Sequence, residues 1–486
     1  MCRRLAATNP LNKARRALSA TLLCAAGGCA AGPNYQTPTP PPGASAPLVS
    51  VTPAAETTAN PPDNWWQLYH DPFLDQLLAE ALAANTELRI ATANLVAARS
   101  VLEAARVGRY PQTDAGVGAT FGRDSKTDEI LELDGHQPKN IWIFDPLLDI
   151  SYEVDIFGRV RRSIEAARAD AEASIAARDG VKITVVAETT RAYTQICALG
   201  EQIAVAQHSL EVVRREAQIT SERRDAGAGS QLDVVRAQGL VAQVNSDIPP
   251  LQGARRAALF ELAALLGRTP SQAPVQVDTC VSPPPLPQLL PVGDGATLLK
   301  RRPDVREAER RLAAATARIG VATADLYPTV VLKGFLGGIS TQFNQLASNN
   351  ALTWGVGPTV SWSFPNQALP RARIRQAKAG TAAALAAFDS TVLQALKETE
   401  QDLARYAADL DRRQSLLEAQ DKARQALDMS HAQFIAGAVT GLDLLIAEQT
   451  LVSADAAVAA SDAILTQDQI AVFKALGGGW ASHAHS

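Results

Sequence analysis

Leu148-Asp149-Ile150-Ser151-Tyr152-Glu153-Val154-Asp155-Ile156-Phe157-Gly158-Arg159 carries two structural periods back to back. Leu148, Ile150, Tyr152, Val154 and Ile156 are apolar, and Asp149, Ser151, Glu153 and Asp155 fall between them. Side chains alternate across a strand, so this run predicts a strand with one apolar and one polar face. After Gly158 the pattern changes. No proline occurs from Leu147 to Ile248. Proline breaks helix interiors, so a helix can run from Val160 to Asp225. At ~1.5 Å per residue its length is on the order of 100 Å, more than a globular core spans.

Three other segments read as strands. Ala115, Val117, Ala119 and Phe121 alternate with Asp114, Gly116, Gly118, Thr120 and Gly122. Trp354, Val356, Val360, Trp362 and Phe364 alternate with Thr353, Gly355, Gly357, Thr359, Ser361 and Ser363. Thr329 to Gly338 is more apolar and less regular, and Pro358 cannot donate to a ladder. Strands of about ten residues with this alternation suit a transmembrane barrel. A half-buried sheet of a soluble protein alternates identically. Four strands cannot close a barrel, which needs about eight or more, and lipid forbids an open edge. If these strands span a membrane, several chains share one barrel: two would supply eight strands, three twelve.

The chain also repeats itself. Asn85-Thr86-Glu87-Leu88-Arg89 matches Arg302-Pro303-Asp304-Val305-Arg306, and both stretches run to a Tyr-Pro, at 110–111 and 327–328. Ala226-Gly227-Ala228 matches Ala436-Gly437-Ala438, and Leu232-Asp233 matches Leu442-Asp443. Two copies in fixed order indicate duplication. Each half is predicted to hold a helix of about 35 residues, two strands, a very long helix, a Gly-marked turn and a returning helix. The boundaries are 63–270, with strands 112–123 and 147–157 and a hairpin over 160–267, and 294–480, with strands 329–338 and 353–364 and a hairpin over 371–476. The Pro-rich stretch 271–293 connects them, and residues 481–486 form a tail. Helices this long need coiled-coil-like neighbours.

Composition agrees with that layout. Of 486 residues, aromatics are 5% and Met only 2, with hydrophobics at 47%. An aromatic-poor, Ala-rich chain suits long helices packed side by side. No stretch past the first thirty residues offers the ~20 consecutive apolar residues of a membrane helix. Arg3, Arg4, Lys13, Arg15 and Arg16 precede a short apolar run, Ala17 to Ala26, and then Gly27, Gly28 and Cys29. This is an export-signal layout over residues 1–28, with small residues placing Cys29 at the cleavage point of a lipobox. Residues 33–62, rich in Pro, Ala and Thr, read as an extended tether within a 29–62 lipidated segment. The leader carries five basic and no acidic residues, and the full chain already stands at −4. The exported chain is therefore more acidic still, which argues against nucleic acid. Cys197 and Cys280 are too few for a disulfide framework and read as structural.

No Walker A loop, HExxH, GxSxG or Cys-pair metal spacing occurs. The glycines around Val117 and Val356 belong to strands. His483 and His485 read as a solvated tail, and helix carboxylates as solvated faces. No catalytic residue, metal or cofactor is assigned, beyond covalent lipid on Cys29.

Cys29 with Gly32-Pro33-Asn34-Tyr35, Trp65-Trp66, Tyr152 to Arg159, Arg301-Arg302-Pro303-Asp304-Val305-Arg306, Gly357 to Trp362 and Lys474 to Trp480 together resemble the outer-membrane-factor family, in the OprM- and NodT-type lipoprotein branch related to TolC. The resemblance covers nearly all of residues 29–480. It implies a mainly α fold with a membrane β-barrel: a coiled-coil α-barrel through the periplasm plus four strands per chain in a shared twelve-stranded trimeric barrel. It implies a passive outer-membrane exit duct, a homotrimer, a periplasmic adaptor (membrane fusion) protein and an inner-membrane pump, with a proton-driven pump favoured. In such a barrel Ile150, Tyr152, Val154, Ile156, Trp354, Val356 and Trp362 face lipid, while Asp149, Glu153 and Asp155 face the lumen. Arg123 to Pro146 is expected as an extracellular loop. Phe364-Pro365-Asn366-Gln367 departs from the Phe-Asp-Gly-Gly of relatives.

The resemblance further implies a constricted periplasmic tip. Its candidates are the turns at Gly227 and Gly437, the capping residues Asp233 and Asp443, and an apolar iris of Leu442 and Ile446. The Val234-Val235 and Leu444-Leu445 grooves are adaptor-docking candidates. Two rival readings stand: a duct for ATP-driven protein or peptide secretion, and a periplasmic coiled-coil lipoprotein scaffold without a barrel.

Overall fold

The computed structural model describes residues 30–51, 56–57, 59–122, 140–284 and 290–478; Cys29 and its leader lie outside the described residues, as do 123–139 and the tail from 479. The helices are α1 (Pro72–Ala84), α2 (Thr86–Val107), α3 (Arg159–Asp225), α4 (Gln231–Leu265), α5 (Gly295–Arg301), α6 (Pro303–Ala324), α7 (Ala368–Ile435) and α8 (Gly441–Ala475). The strands are β1 (Glu56–Thr57), β2 (Gln112–Gly122), β3 (Ile141–Val154), β4 (Leu290–Pro291), β5 (Thr329–Gly338) and β6 (Leu352–Ser361). The order α-α-β-β-α-α occurs twice.

The expected 35-residue helix of each half is two helices. Asn85 interrupts the first: its Oδ1 accepts from the Glu87 and Leu88 amides, and its Nδ2 donates to the Leu265 carbonyl at 3.0 Å. That side chain restarts a helix. In the second half Arg302 plays the break and Pro303 opens α6, where a proline costs no hydrogen bond.

The two long helices span 67 and 68 residues. Helix α4 continues through Pro249 and Pro250. Each proline deprives a carbonyl one turn earlier of its donor. Those carbonyls belong to Asn245 and Ser246, which are exposed, so water can satisfy them.

The chain forms two compact units: Met1–Pro38, Val96–Ala173 and Glu309–Ala386 in one, Thr39–Leu95, Ser174–Ala308 and Ala387–Ser486 in the other. The first contains an antiparallel sheet in the order β2-β3-β5-β6. Small packing residues serve its helices, with Ile164, Ala167 and Ala171 of α3 against Leu102 of α2.

The second unit contains the main apolar core. Trp65 stacks on Phe473 with ring centroids 4.9 Å apart, and Leu74, Leu78, Ile196, Leu262 and Leu298 surround them. The tether is fastened here rather than free. Ala44 is buried with Phe388 and Val392, the Val49 and Ser50 amides donate to Glu400 at 2.8 Å, and Glu56–Thr57 pairs in parallel with Leu290–Pro291. Cys197 and Cys280 are joined in a disulfide, which corrects their reading as separate structural cysteines. Their sequence separation of 83 conceals a contact made when the connector folds back on α3. Gly200 permits it, because a Cβ there would lie 2.5 Å from the Cys280 carbonyl oxygen. Arg255 ties the same connector down through the Asp278 and Cys280 carbonyls.

Helix α8 is long and apolar enough to cross a membrane by length and composition. Part of its apolar surface packs inward, with Ile470, Val472 and Phe473 in the core of the second unit.

Candidate functional site

The sheet register sorts every strand residue to a face, because directly opposed residues in an antiparallel pair share one. Leu148, Ile150, Tyr152 and Val154 oppose Leu336, Gly334, Leu332 and Val330. These oppose Trp354, Val356, Pro358 and Val360. On the other side Leu148, Pro146, Phe144 and Trp142 oppose Ala115, Val117, Ala119 and Phe121. One continuous apolar face results, and it is open: Val117 is 85% exposed and Val356 80%. The irregular strand β5 joins this face through Val330, Leu332 and Leu336, with Gly334 adding no side chain between them. Pro358 lies on β6, an edge strand, where its missing donor is tolerated.

The other face carries Asp114, Asp145, Asp149, Glu153 and Lys333 among glycines and the apolar Ile143, Leu147, Val331 and Phe335. Side chains lie over two of those glycines. The Asp145 carboxylate lies over Gly118, and the Phe335 ring lies 2.7 Å from where a Gly355 Cβ would be.

Aromatic residues gather at both ends of the apolar face. Phe121, Trp142, Phe144 and Phe343 form a contiguous cluster at one end. Phe157 stacks on Tyr327 and Trp362 on Phe364 at the other, with Trp362 Nε1 donating to the Leu326 carbonyl. From Phe144 to Val154 the strand advances about 33 Å at ~3.3 Å per residue. At a tilt of ~40° that is about 25 Å of height, the apolar band of a membrane barrel.

The expected extracellular loop is shorter than Arg123–Pro146. Strand β3 already begins at Ile141, so Trp142 and Pro146 are strand residues. Pro146 and the unbroken apolar run Ile141 to Phe144 hid this part of the strand, because neither shows alternation. Asp155 and Ile156 lie past the strand end, and Trp362 follows the last residue of β6. Asp155 is occupied at the junction, accepting from the Val160 and Arg161 amides at 2.9 and 2.8 Å and so capping α3. Glu153 pairs with Arg159, with Nε donating at 2.8 Å. Gly158 turns between them at φ 77°, with Ala30 packed against it. Of the three carboxylates expected in the lumen, Asp149 alone is left without such a partner among the described residues.

The hairpin tips belong to the second unit and follow one design. Gly227 and Gly437 adopt φ 75° and 72°, the left-handed turn that ends a helix. Ser230 with Asp233, and Thr440 with Asp443, form reciprocal capping boxes. The Asp443 carboxylate accepts from Thr440 Oγ1 at 2.6 Å and from its amide at 2.8 Å. These bonds hold its carboxyl below the usual range. Leu442 and Ile446, one turn apart on α8, are 37% and 53% exposed. In the expected docking grooves Val234 and Leu444 are buried and Leu445 is half-buried, which leaves Val235 as the exposed residue of the four. Arg223 lies over the Phe434 ring at 4.1 Å, joining the two hairpins.

Sequence reading missed two residues. Arg302 clamps three elements: it donates to the Ala475 carbonyl and pairs with Asp304 and Glu398. Its signal was the Arg-Arg-Pro-Asp run. Glu448 is buried at the tip, where its spacing resembled any solvated helical Glu. Among the described residues no group of three or more His, Cys, Asp or Glu side chains could hold a metal ion.

Residues 77–268 and 296–478 match the family model described as outer membrane efflux protein. The pyoverdine export outer membrane protein OpmQ of Pseudomonas aeruginosa is 31% identical over 441 residues, 88% of this chain and 90% of that one. The toluene efflux pump outer membrane protein TtgC of Pseudomonas putida is 28% identical over 466 residues, 93% of each. The solved outer-membrane channel OprN superposes with a TM-score of 0.86 at 35% identity, covering 93% of this chain and all of that one.

Proposed function

The chain belongs to the outer membrane efflux protein family, and on that premise we propose that three copies share one twelve-stranded barrel and form a passive exit duct for small molecules. It is an outer-membrane efflux channel. The observation that carries the shared barrel is the sheet, with one exposed apolar face, aromatic ends and four strands in which β2 and β6 are edges. In lipid an open edge leaves amides and carbonyls unsatisfied at several kcal/mol each. Three copies supply twelve strands and close it.

The remaining parts follow from that duct. Asp149 faces its lumen, and the Leu148 to Val154, Trp354 and Val356 series faces lipid. Cys29 is diacylated on its thiol and acylated on its amino group. Its neighbour Ala30 rests on Gly158 beside the end of β3, so the lipid enters the membrane next to the barrel. An adaptor protein docks at the tips, and an inner-membrane pump, proton-driven, supplies the energy. Leu442 and Ile446 form an apolar iris, since Asp443 is engaged in its cap. Small-molecule cargo is supported by the pyoverdine and toluene named for the relatives. The coiled-coil scaffold reading leaves the exposed apolar face without a role.

The experiment is reconstitution of the purified protein in planar bilayers, with a heat-modifiable band on a cold denaturing gel as the check for a barrel. Stepwise conductance with that band is expected. Absence of both would return the scaffold reading.

A further inference from the structure

Helices α3, α4, α7 and α8 enclose a cavity of about 320 Å³ between the two hairpins. That volume is at the lower end of small-molecule sites. Its walls mix polar and apolar groups, the apolar part coming from Val213, Ala237, Phe434, Leu444 and Leu445. Three carboxylates line it as well, Glu216 from α3, Asp233 from α4 and Glu448 from α8.

Glu448 is 4% exposed. Among the described residues no hydrogen bond or ion pair reaches its carboxyl. A buried carboxylate without a counter-charge is costly. The other charged groups of the cavity do not serve as one. From α3, Arg223 is engaged on the Phe434 ring. From α4, Asp233 is held in its capping box, and Arg236 is exposed at the rim. Helix α7 contributes no charged group to the lining. Burial, and then the Glu216 charge, push the Glu448 carboxyl up to about 7. Nothing in helix capping or packing explains an acid here, because glutamine or leucine would fill the same space at less cost.

We propose that this cavity binds a small amphiphilic cation, an amidinium, guanidinium or primary ammonium on an apolar body, with Glu448 as its counter-charge and Glu216 as the second carboxylate. A planar amidinium can engage a carboxylate through two parallel hydrogen bonds, while its apolar body lies against Phe434 and Leu445. Binding requires the ionised acid, so it releases the proton that Glu448 holds when the site is empty. Between pH 6 and pH 8 the ionised fraction rises about tenfold, and the apparent affinity rises with it.

The test is isothermal titration of benzamidine into the detergent-solubilised full-length protein at pH 6, 7 and 8, with neutral benzamide as control. Expected are one site per chain, affinity about tenfold tighter at pH 8 than at pH 6, and no benzamide binding. Glu448→Gln should abolish the binding, and Glu216→Gln should weaken it. Absence of saturable binding at pH 8 would overturn the proposal, as would equal affinity at all three pH values or unchanged binding in Glu448→Gln. Should Glu448→Gln fail to fold, the wild-type pH series and the benzamide control decide alone. No channel activity enters the measurement, so its failure would leave the duct reading standing.

Discussion

Asp443 shows how one side chain can be given two roles by spacing and one by geometry. Its place after the turn suits a ring of acids at a constriction, and it suits a helix cap equally. Both of its contacts to Thr440 belong to the cap. Asp443→Asn should therefore change single-channel conductance little, whereas Leu442→Ser with Ile446→Ser should raise it. Unchanged conductance in the double variant would rule out the apolar iris. Asp468 offers a pH test. Burial, and then its hydrogen bond and repulsion with Asp409, push its carboxyl up to about 7. A raised folded-state value means stability that is fully present below the ordinary value of 3.8 and is lost as pH rises from there through about 7. The melting temperature in detergent should fall between pH 4 and pH 7 and level off above, and Asp468→Asn should flatten that fall. An unaltered slope in the variant would remove Asp468 from the account. The Asp443 cap was legible in sequence, because Thr440 is three residues away; the Asp468 environment was not, since Asp409 meets it from another helix.

Elements were easier to read than side chains. The hairpin turns, both capping boxes and the ends of the long helices lie within a few residues of their expected places, because glycine, Ser/Thr and proline act locally. The 35-residue helix of the first half failed for a partly non-local reason, since the Asn85 side chain is also held by the Leu265 carbonyl of another helix; in the second half the break is local, at Pro303. The Cys197–Cys280 disulfide was hidden similarly, by a fold-back of the connector. Removing it with Cys280→Ser should cost about 2–4 kcal/mol, read as a lower melting temperature; equal melting of reduced and oxidised protein would contradict this. For the sheet, alternation identified the faces, and the register supplies depth. Leu148 lies near the middle of the apolar band and Val154 at its aromatic end. Leu148→Arg should then cost about 2–4 kcal/mol and Val154→Arg about 0–1 kcal/mol. Equal costs in reversible unfolding from vesicles would show that the band is misplaced. Glu153→Arg should alter ion selectivity and also lose the Arg159 pair.

At the scale of the molecule, anchoring and assembly are separate questions. Two or more acyl chains anchor a protein stably where one is marginal. Cells fed radioactive fatty acid should label the wild type and not Cys29→Ser, and equal label in both would exclude lipid at that cysteine. A barrel is a second anchor, so the unlabelled variant should keep some export. The shared barrel carries the rest of the account: it explains the open sheet edges, the exposed Val117, Trp354 and Val356, and the polar face that needs a lumen. Its most direct test is native mass measurement of the detergent-solubilised complex. The mass of three chains is the predicted result; a monomer or a dimer would contradict the twelve-stranded barrel.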